Sequence, residues 1–299
     1  MKHLFIKINA VILLLLAFLF QCMGADKYTL EYNLEKGKTY KQNMVMDMNM
    51  TMDMMGQEMK MNMKMDINMD YNVIEKNGNV YDIQLSYKKM KMSMTDPMPF
   101  NVDSDSPEQS SDKSLGDMLK SFTGIPINVQ MNQQGKVLSI KDADKLTEKL
   151  NATNDQFKQM FGQQFSEQMI QRSIEQSSSL FPGKPVAINY TWDIATSINN
   201  NGFDIISKMN LTLKQVKDNV ATIEFTGTLS TPEGGTVANI QGMDAKVMVK
   251  GGQSGTILMD TKTGWIVRSE ITQDFTQEIE IMGQTMPQKI VSKITVTDK

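Results

Sequence analysis

Soft sulfur at every second position is the chemistry this sequence offers first. Met44, Met46, Met48, Met50, Met52 and Met54 alternate with Val45, Asp47, Asn49, Thr51 and Asp53. After Gly56 and Gln57 the alternation resumes as Met59, Met61, Met63, Met65, Ile67, Met69, Tyr71 and Val73, and Met90, Met92 and Met94 repeat it once more. Period two is one face of a β-strand, so these methionines are the candidate ligand-binding residues. A thioether is flexible and polarizable, and a face lined with thioethers moulds itself to differently shaped apolar surfaces. Other readings fit the same pattern. The methionines could fill a plain core face, or bind Cu(I), because Met-x-Met strings supply the soft ligands that ion takes. Methionine sulfoxide chemistry is a further possibility.

What accompanies the sulfur narrows the choice. The chain has 299 residues, 28 of them Met, with one Cys and one His. His3 and Cys22 both lie in a segment that reads as a secretory signal. Lys2, His3 and Lys7 form a basic start, and Ala10 to Phe20 is an apolar run too short to span a bilayer comfortably. A cut after Gly24 makes residues 1–24 the signal peptide. A rival reading takes Cys22 as a lipidated N-terminus, since Leu19 stands three residues before it. Gln21, where a small residue is usual, opposes that reading.

Once the signal is removed the chain holds no thiol, no disulfide and no imidazole. Most hydrolase templates and the His/Cys zinc sites are thereby closed. No catalytic residue, metal site or cofactor is expected, and the protein is not expected to be an enzyme. A formal charge of −3, with no basic stripe, leaves no footprint for nucleic acid. No later apolar run suggests a transmembrane span. The expected protein is exported to the periplasm, or to the periplasmic face of the outer membrane if Cys22 is lipidated. Its expected partner is an apolar small molecule, a lipid or an envelope protein.

The elements that must position the methionines follow from turns and periodicity. Gly56-Gln57 suits a type II′ turn, which places Met54 opposite Met59, Met52 opposite Met61, Met50 opposite Met63, Met48 opposite Met65 and Tyr40 opposite Val73. Asp53 then faces Lys60, and Asp47 faces Asp66. Asn77-Gly78 turns into a strand from Val80 to Met94. Residues 95–114, with Pro97, Pro99 and Pro107, lack periodicity and read as a mobile loop. A short helix at Leu115–Phe122 and a hairpin through Ile127 to Ile140 come next.

Between residues 141 and 181 two helices are expected. One is capped by Asp142 or Asp144, and the other carries Phe157, Met160, Phe161, Phe165, Met169, Ile170 and Ile174 at spacings of three and four. From Pro182 a second β series runs to the C-terminus, with strands expected at Phe203–Val216, Ala221–Leu229, Ala245–Val249, Gly255–Met259 and Trp265–Thr272. Met282-Gly283-Gln284 repeats Met55-Gly56-Gln57, but with Ile279, Ile281, Ile290 and Ile294 on the apolar phase. The predicted fold is mainly β (α+β). Long curved antiparallel sheets, duplicated as halves 25–140 and 182–299, flank a helical segment.

Tyr28 to Tyr40 with its Gly37-Lys38-Thr39-Tyr40 ending, Phe181 to Trp192, the two Met-Gly-Gln turns and Gly255 through Asp260 to Gly264-Trp265 resemble a family of exported Bacteroidota proteins defined by a domain of unknown function. The resemblance implies export and a β-rich fold, and brings no activity, substrate or site residue with it. A looser likeness of architecture, curved sheet plus interposed helices, is to periplasmic lipoprotein-carrier folds that shelter acyl chains.

Overall fold

The computed structural model describes residues 26–54, 57–96, 99–142, 144–151, 167–200, 203–240 and 243–298. Cys22 and Phe157 to Phe165 lie outside them. The alternating segments form strands β1 (Lys27–Tyr28), β2 (Thr39–Met54), β3 (Gln57–Asn77), β4 (Val80–Met94) and β5 (Phe100–Asp103). Helix α1 (Lys113–Phe122) leads to β6 (Ile127–Asn132) and β7 (Val137–Lys141), then to α2 (Asp144–Asn151) and α3 (Glu167–Ser178). The second series is β8 (Val186–Ala187), β9 (Thr191–Asn200), β10 (Phe203–Lys217), β11 (Val220–Ser230), β12 (Thr236–Ile240), β13 (Met243–Asp260), β14 (Ile266–Ile281) and β15 (Gln284–Thr297).

Except for a small β1–β8 pair, the described strands make one antiparallel sheet in the order β7-β6-β4-β3-β2-β15-β14-β13-β11-β10-β9, with β5 added to β4 and β12 to β13. The fold is mainly β, with large antiparallel pairings and few helices. The early and late strands meet at β2 and β15, so the hairpins built on the two Met-Gly-Gln sequences lie side by side.

Exposed sheet edges invite pairing with other chains. Here both edges approach one helix, because α3 packs beside β7 and also beside β9. The sheet must therefore curl. Val137 N–H donates to Glu175 Oε1 at 3.2 Å and Ser178 Oγ donates to the Gly135 carbonyl at 2.6 Å, which fastens the helix to the β6–β7 turn.

A strap at residues 30–34 crosses the same end. Tyr32 N–H donates to the Gln133 carbonyl and Asn33 N–H to the Thr263 carbonyl, both at 2.9 Å. It thus ties the β6–β7 turn to the turn before β14. Gly264, at φ +70°, admits the strap, since a Cβ there would sit 2.1 Å from the Glu31 carbonyl oxygen. Within the strap Leu30, Tyr32 and Leu34 are buried.

Several expectations are corrected. Ala245–Val249 and Gly255–Met259 belong to one continuous strand, β13, rather than two. Two of its glycines are sites where phenylalanines of the neighbouring strands approach closely. A Cβ on Gly251 would meet Phe275 Cβ at 2.2 Å, and one on Gly255 would meet the Phe225 ring at 2.7 Å. Residues 95–114 contain strand β5, and Val102, Asp103 and Ser104 are buried. Ser110 and Ser111 hydroxyls accept from the Asp103 and Asn101 amides, which supplies order the proline-rich composition concealed.

The hairpin register also differs by two residues. Met52 faces Met59, Met50 faces Met61, Met48 faces Met63, Met46 faces Met65, Met44 faces Ile67 and Tyr40 faces Tyr71, while Met54 pairs with Gln57. The sister hairpin shows the reason. Ile281 pairs with Gln284, and the central residues Met282 and Gly283 stand at φ 52° and 78°, a type I′ turn on Met-Gly rather than a II′ turn on Gly-Gln. A two-residue shift keeps every side chain on its face. It also sets Asp47 opposite Lys64 instead of Asp66, and Asp53 opposite Glu58 instead of Lys60.

Candidate functional site

The two-residue shift decides what surrounds the methionines. At the base of the hairpin Tyr40 and Tyr71 come together against Trp265, with ring centroids 5.0 and 5.2 Å away. Tyr32 packs edge-on to Phe181 at 4.9 Å and lies 6.2 Å from Trp265. Tyr81 Oη donates to the Tyr32 carbonyl at 2.8 Å. These groups plug the end of the curled sheet where the strap crosses it. Met69 joins this region, its Sδ accepting from Tyr71 Oη at 3.8 Å, and Met90 is buried there.

Burial pushes the phenols of Tyr32 and Tyr71 far above the ordinary tyrosine range of about 10. The sign of the resulting pH dependence follows. Unfolded tyrosines lose their protons first, so this contribution to stability is complete below pH ~10 and shrinks as pH rises beyond it. In an alkaline titration the phenolate absorbance of these two rings is expected only as the far-UV β signal disappears. Tyr32→Phe and Tyr71→Phe should each lower that late amplitude. Full ionisation of all tyrosines with the fold intact would show that the plug is open to water.

Toward the hairpin tip the environment changes. Met44, Met46, Met48, Met50, Met52, Met59, Met61, Met63, Met65, Met92 and Met94 are each half-buried. Among the described residues they belong to none of the apolar clusters that pack the sheet elsewhere. Their face continues onto β15, where Ile290 lies beside Met50, Ile294 beside Met46 and Val296 beside Met44. At a strand's rise, Met44 to Met52 spans about 26 Å, and β2 to β4 are about 10 Å across. The sequence expectation named these side chains as one face, and their period-two pairing is what aligns them. The side chain of Met54 lies outside the description.

A feature absent from the sequence reading crosses the same face. Ser292 Oγ donates to Gln273 Oε1 at 2.9 Å, Gln273 Nε2 to Gln253 Oε1 at 3.3 Å, and Gln253 Nε2 to Ser207 Oγ at 2.6 Å. Ser207, Gln253 and Ser292 are buried. This chain reaches from β15 to β10 in line with Met48, which pairs with Ser292. It separates the cluster of Leu211, Ile223 and Ile257 from that of Leu229, Val247 and Val249. The available signal was the intrusion of Gln273 into the apolar phase of Ile271, Phe275 and Ile279.

The opposite face is polar. A hollow of about 290 Å³ there is lined by Thr51, Asp53, Glu58, Thr276, Glu278 and Lys289 among others. Among the described residues no cluster of three or more His, Cys, Asp or Glu side chains could hold a metal ion. No helix among them is long and apolar enough to cross a membrane.

No curated protein matches the chain. Among solved structures, lipovitellin in a study of lipid–protein interactions is similar over 89% of this chain at 11% identity and a TM-score of 0.48. This chain spans 25% of that one. The β domain of the Bordetella autotransporter BrkA aligns over 87% of this chain and 98% of its own at 6% identity and a TM-score of 0.23. A putative outer-membrane lipoprotein-sorting protein domain from Vibrio parahaemolyticus aligns over 84% and 83% at 8% identity and a TM-score of 0.14.

A family model covers well over half of the chain. Phe181–Trp192 and Gly255–Trp265, both of which suggested a domain of unknown function, fall wholly inside the match. Tyr28–Tyr40 and the two Met-Gly-Gln turns fall outside it. With its match over residues 78–266, the chain belongs to the family of unknown function DUF6263.

Proposed function

We propose that this protein is a non-enzymatic, exported binding or carrier module that shelters a lipid or another apolar ligand on the methionine face of β2, β3 and β4. The observation that carries this reading is the half-burial of Met44 to Met52, Met59 to Met65, Met92 and Met94, on a face that is closed by aromatic and aliphatic packing at its base. A methionine core serving only as filler would be buried like Val73, Tyr81 or Leu85. Methionine suits the role because it gives up the sharp packing of β-branched residues for adaptability.

The expected affinity follows from area. Burying about ten methylenes at ~0.8 kcal/mol each gives ~8 kcal/mol, a dissociation constant on the order of 1 μM. Native mass spectrometry after gentle extraction is expected to find lipid bound, and a delipidated sample should take up a fluorescent fatty acid with micromolar affinity. A clean unliganded mass together with no uptake of the probe would refute the proposal.

A further inference from the structure

The register of β2, β3 and β4 singles out six thioethers from the methionine face. Met46 faces Met65, and Met65 faces Met92 on the next strand; Met48 faces Met63, and Met63 faces Met94. Each row places three sulfur-bearing side chains at one level across three neighbouring strands. Rows on either side lack this arrangement. Met44 and Met90 are separated by Ile67, and Met50 and Met61 have no β4 partner because β4 ends at Met94. Met69 already receives a hydrogen bond from Tyr71.

We propose that these two rows form a binding site for a soft monovalent metal ion, Cu(I), with Met63 and Met65 as the central ligands. Adjacent strands stand ~4.8 Å apart, so Cβ atoms of neighbours in a row are about 5 Å apart. Methionine has three rotatable bonds beyond Cα, enough for the two flanking sulfurs to lean toward the central one. Neutral thioethers select soft ions such as Cu(I) over ions that prefer nitrogen or oxygen. All six side chains are half-buried, so an ion can enter without opening the core. The rows share the face of the apolar site but rest on a different property. A lipid requires only that the face be apolar, whereas the ion requires sulfur at six named positions.

The test uses the full chain under anaerobic, reducing conditions, with bicinchoninate as a coloured competitor for Cu(I). The wild-type protein is expected to withdraw one or two equivalents of Cu(I) from the competitor at submicromolar affinity. Met63→Leu/Met65→Leu, which conserves volume, should weaken retention at least tenfold. Met50→Leu/Met61→Leu, taken from the same hairpin outside the rows, should retain wild-type affinity. Titration of methyl-labelled protein with Ag(I), a redox-inert substitute, should shift the methyl signals of Met46, Met48, Met63, Met65, Met92 and Met94 and spare the others.

No withdrawal of Cu(I), equal loss in both variants, or shifts spread over the whole face would each overturn the proposal. Fatty-acid uptake is measured on the same samples. In the wild-type protein, probe uptake without withdrawal of Cu(I) marks failure of the metal site alone, and withdrawal of Cu(I) without probe uptake marks failure of the lipid site alone.

Discussion

Replacing Met50 by lysine and Met61 by glutamate is expected to lower fatty-acid uptake at least tenfold while leaving the β spectrum of the protein intact. The two residues face each other across β2 and β3, so the introduced charges form a cross-strand pair. Both sites are half-buried, and each methionine gives up only part of its apolar burial. The stability cost is about 1–2 kcal/mol in all, with up to ~1 kcal/mol of it offset by the ion pair. A bound acyl chain meets a different balance. It would have to cover two charged groups that water otherwise solvates, and a desolvated charge costs several kcal/mol. Met50→Leu/Met61→Leu should retain uptake, which separates the effect of charge from the loss of sulfur. If the face were closed core, the charged pair would unfold the protein and the wild type would show no uptake to lose.

How far the face could be read in advance depends on what a period-two pattern can and cannot carry. Alternation places Met44 to Met52 and Met59 to Met65 on one face whatever the register. The pairing itself was two residues off, since Met-Gly-Gln admits a turn centred on either dipeptide and an even shift leaves the pattern unchanged. Only the backbone of the sister turn, with Met282 and Gly283 both at positive φ, shows which choice the strand twist favours.

The six thioethers of the two rows were beyond sequence reading for a related reason. Naming them needs the β3–β4 register, and a bulge after Asn68 interrupts it. The continuity of β13 was hidden by Gly251, Gly252 and Gly255, which weaken a strand pattern although Phe275 and Phe225 pack over two of them. The chain of Ser207, Gln253, Gln273 and Ser292 comes from four strands distant in sequence. Its members look like ordinary surface residues until the sheet brings them into line.

Trp265→Ala is expected to be the most damaging single substitution, lowering unfolding free energy by about 3–5 kcal/mol. Trp265 stands in the turn before β14, yet the rings it touches, Tyr32, Tyr40 and Tyr71, come from the strap and the first hairpin. Its indole N–H reaches back to the Lys41 carbonyl at 3.4 Å. Removing the ring therefore opens a cavity where the early and late strands meet at the plugged end of the sheet. Domains of ordinary stability have only about 5–15 kcal/mol in hand, so a loss of this size is a large fraction of the total. The thermal midpoint should fall by about 10 °C.

Trp265→Phe keeps most of the contact area and should recover most of the loss. The methionine face lies farther along β2 and β3, so at a temperature where Trp265→Ala remains folded its fatty-acid affinity should match the wild type. A loss below ~1 kcal/mol would show that the plug does not join the two sets of strands. Lost affinity in a folded Trp265→Ala protein would place the ligand at the plug instead of on the methionines.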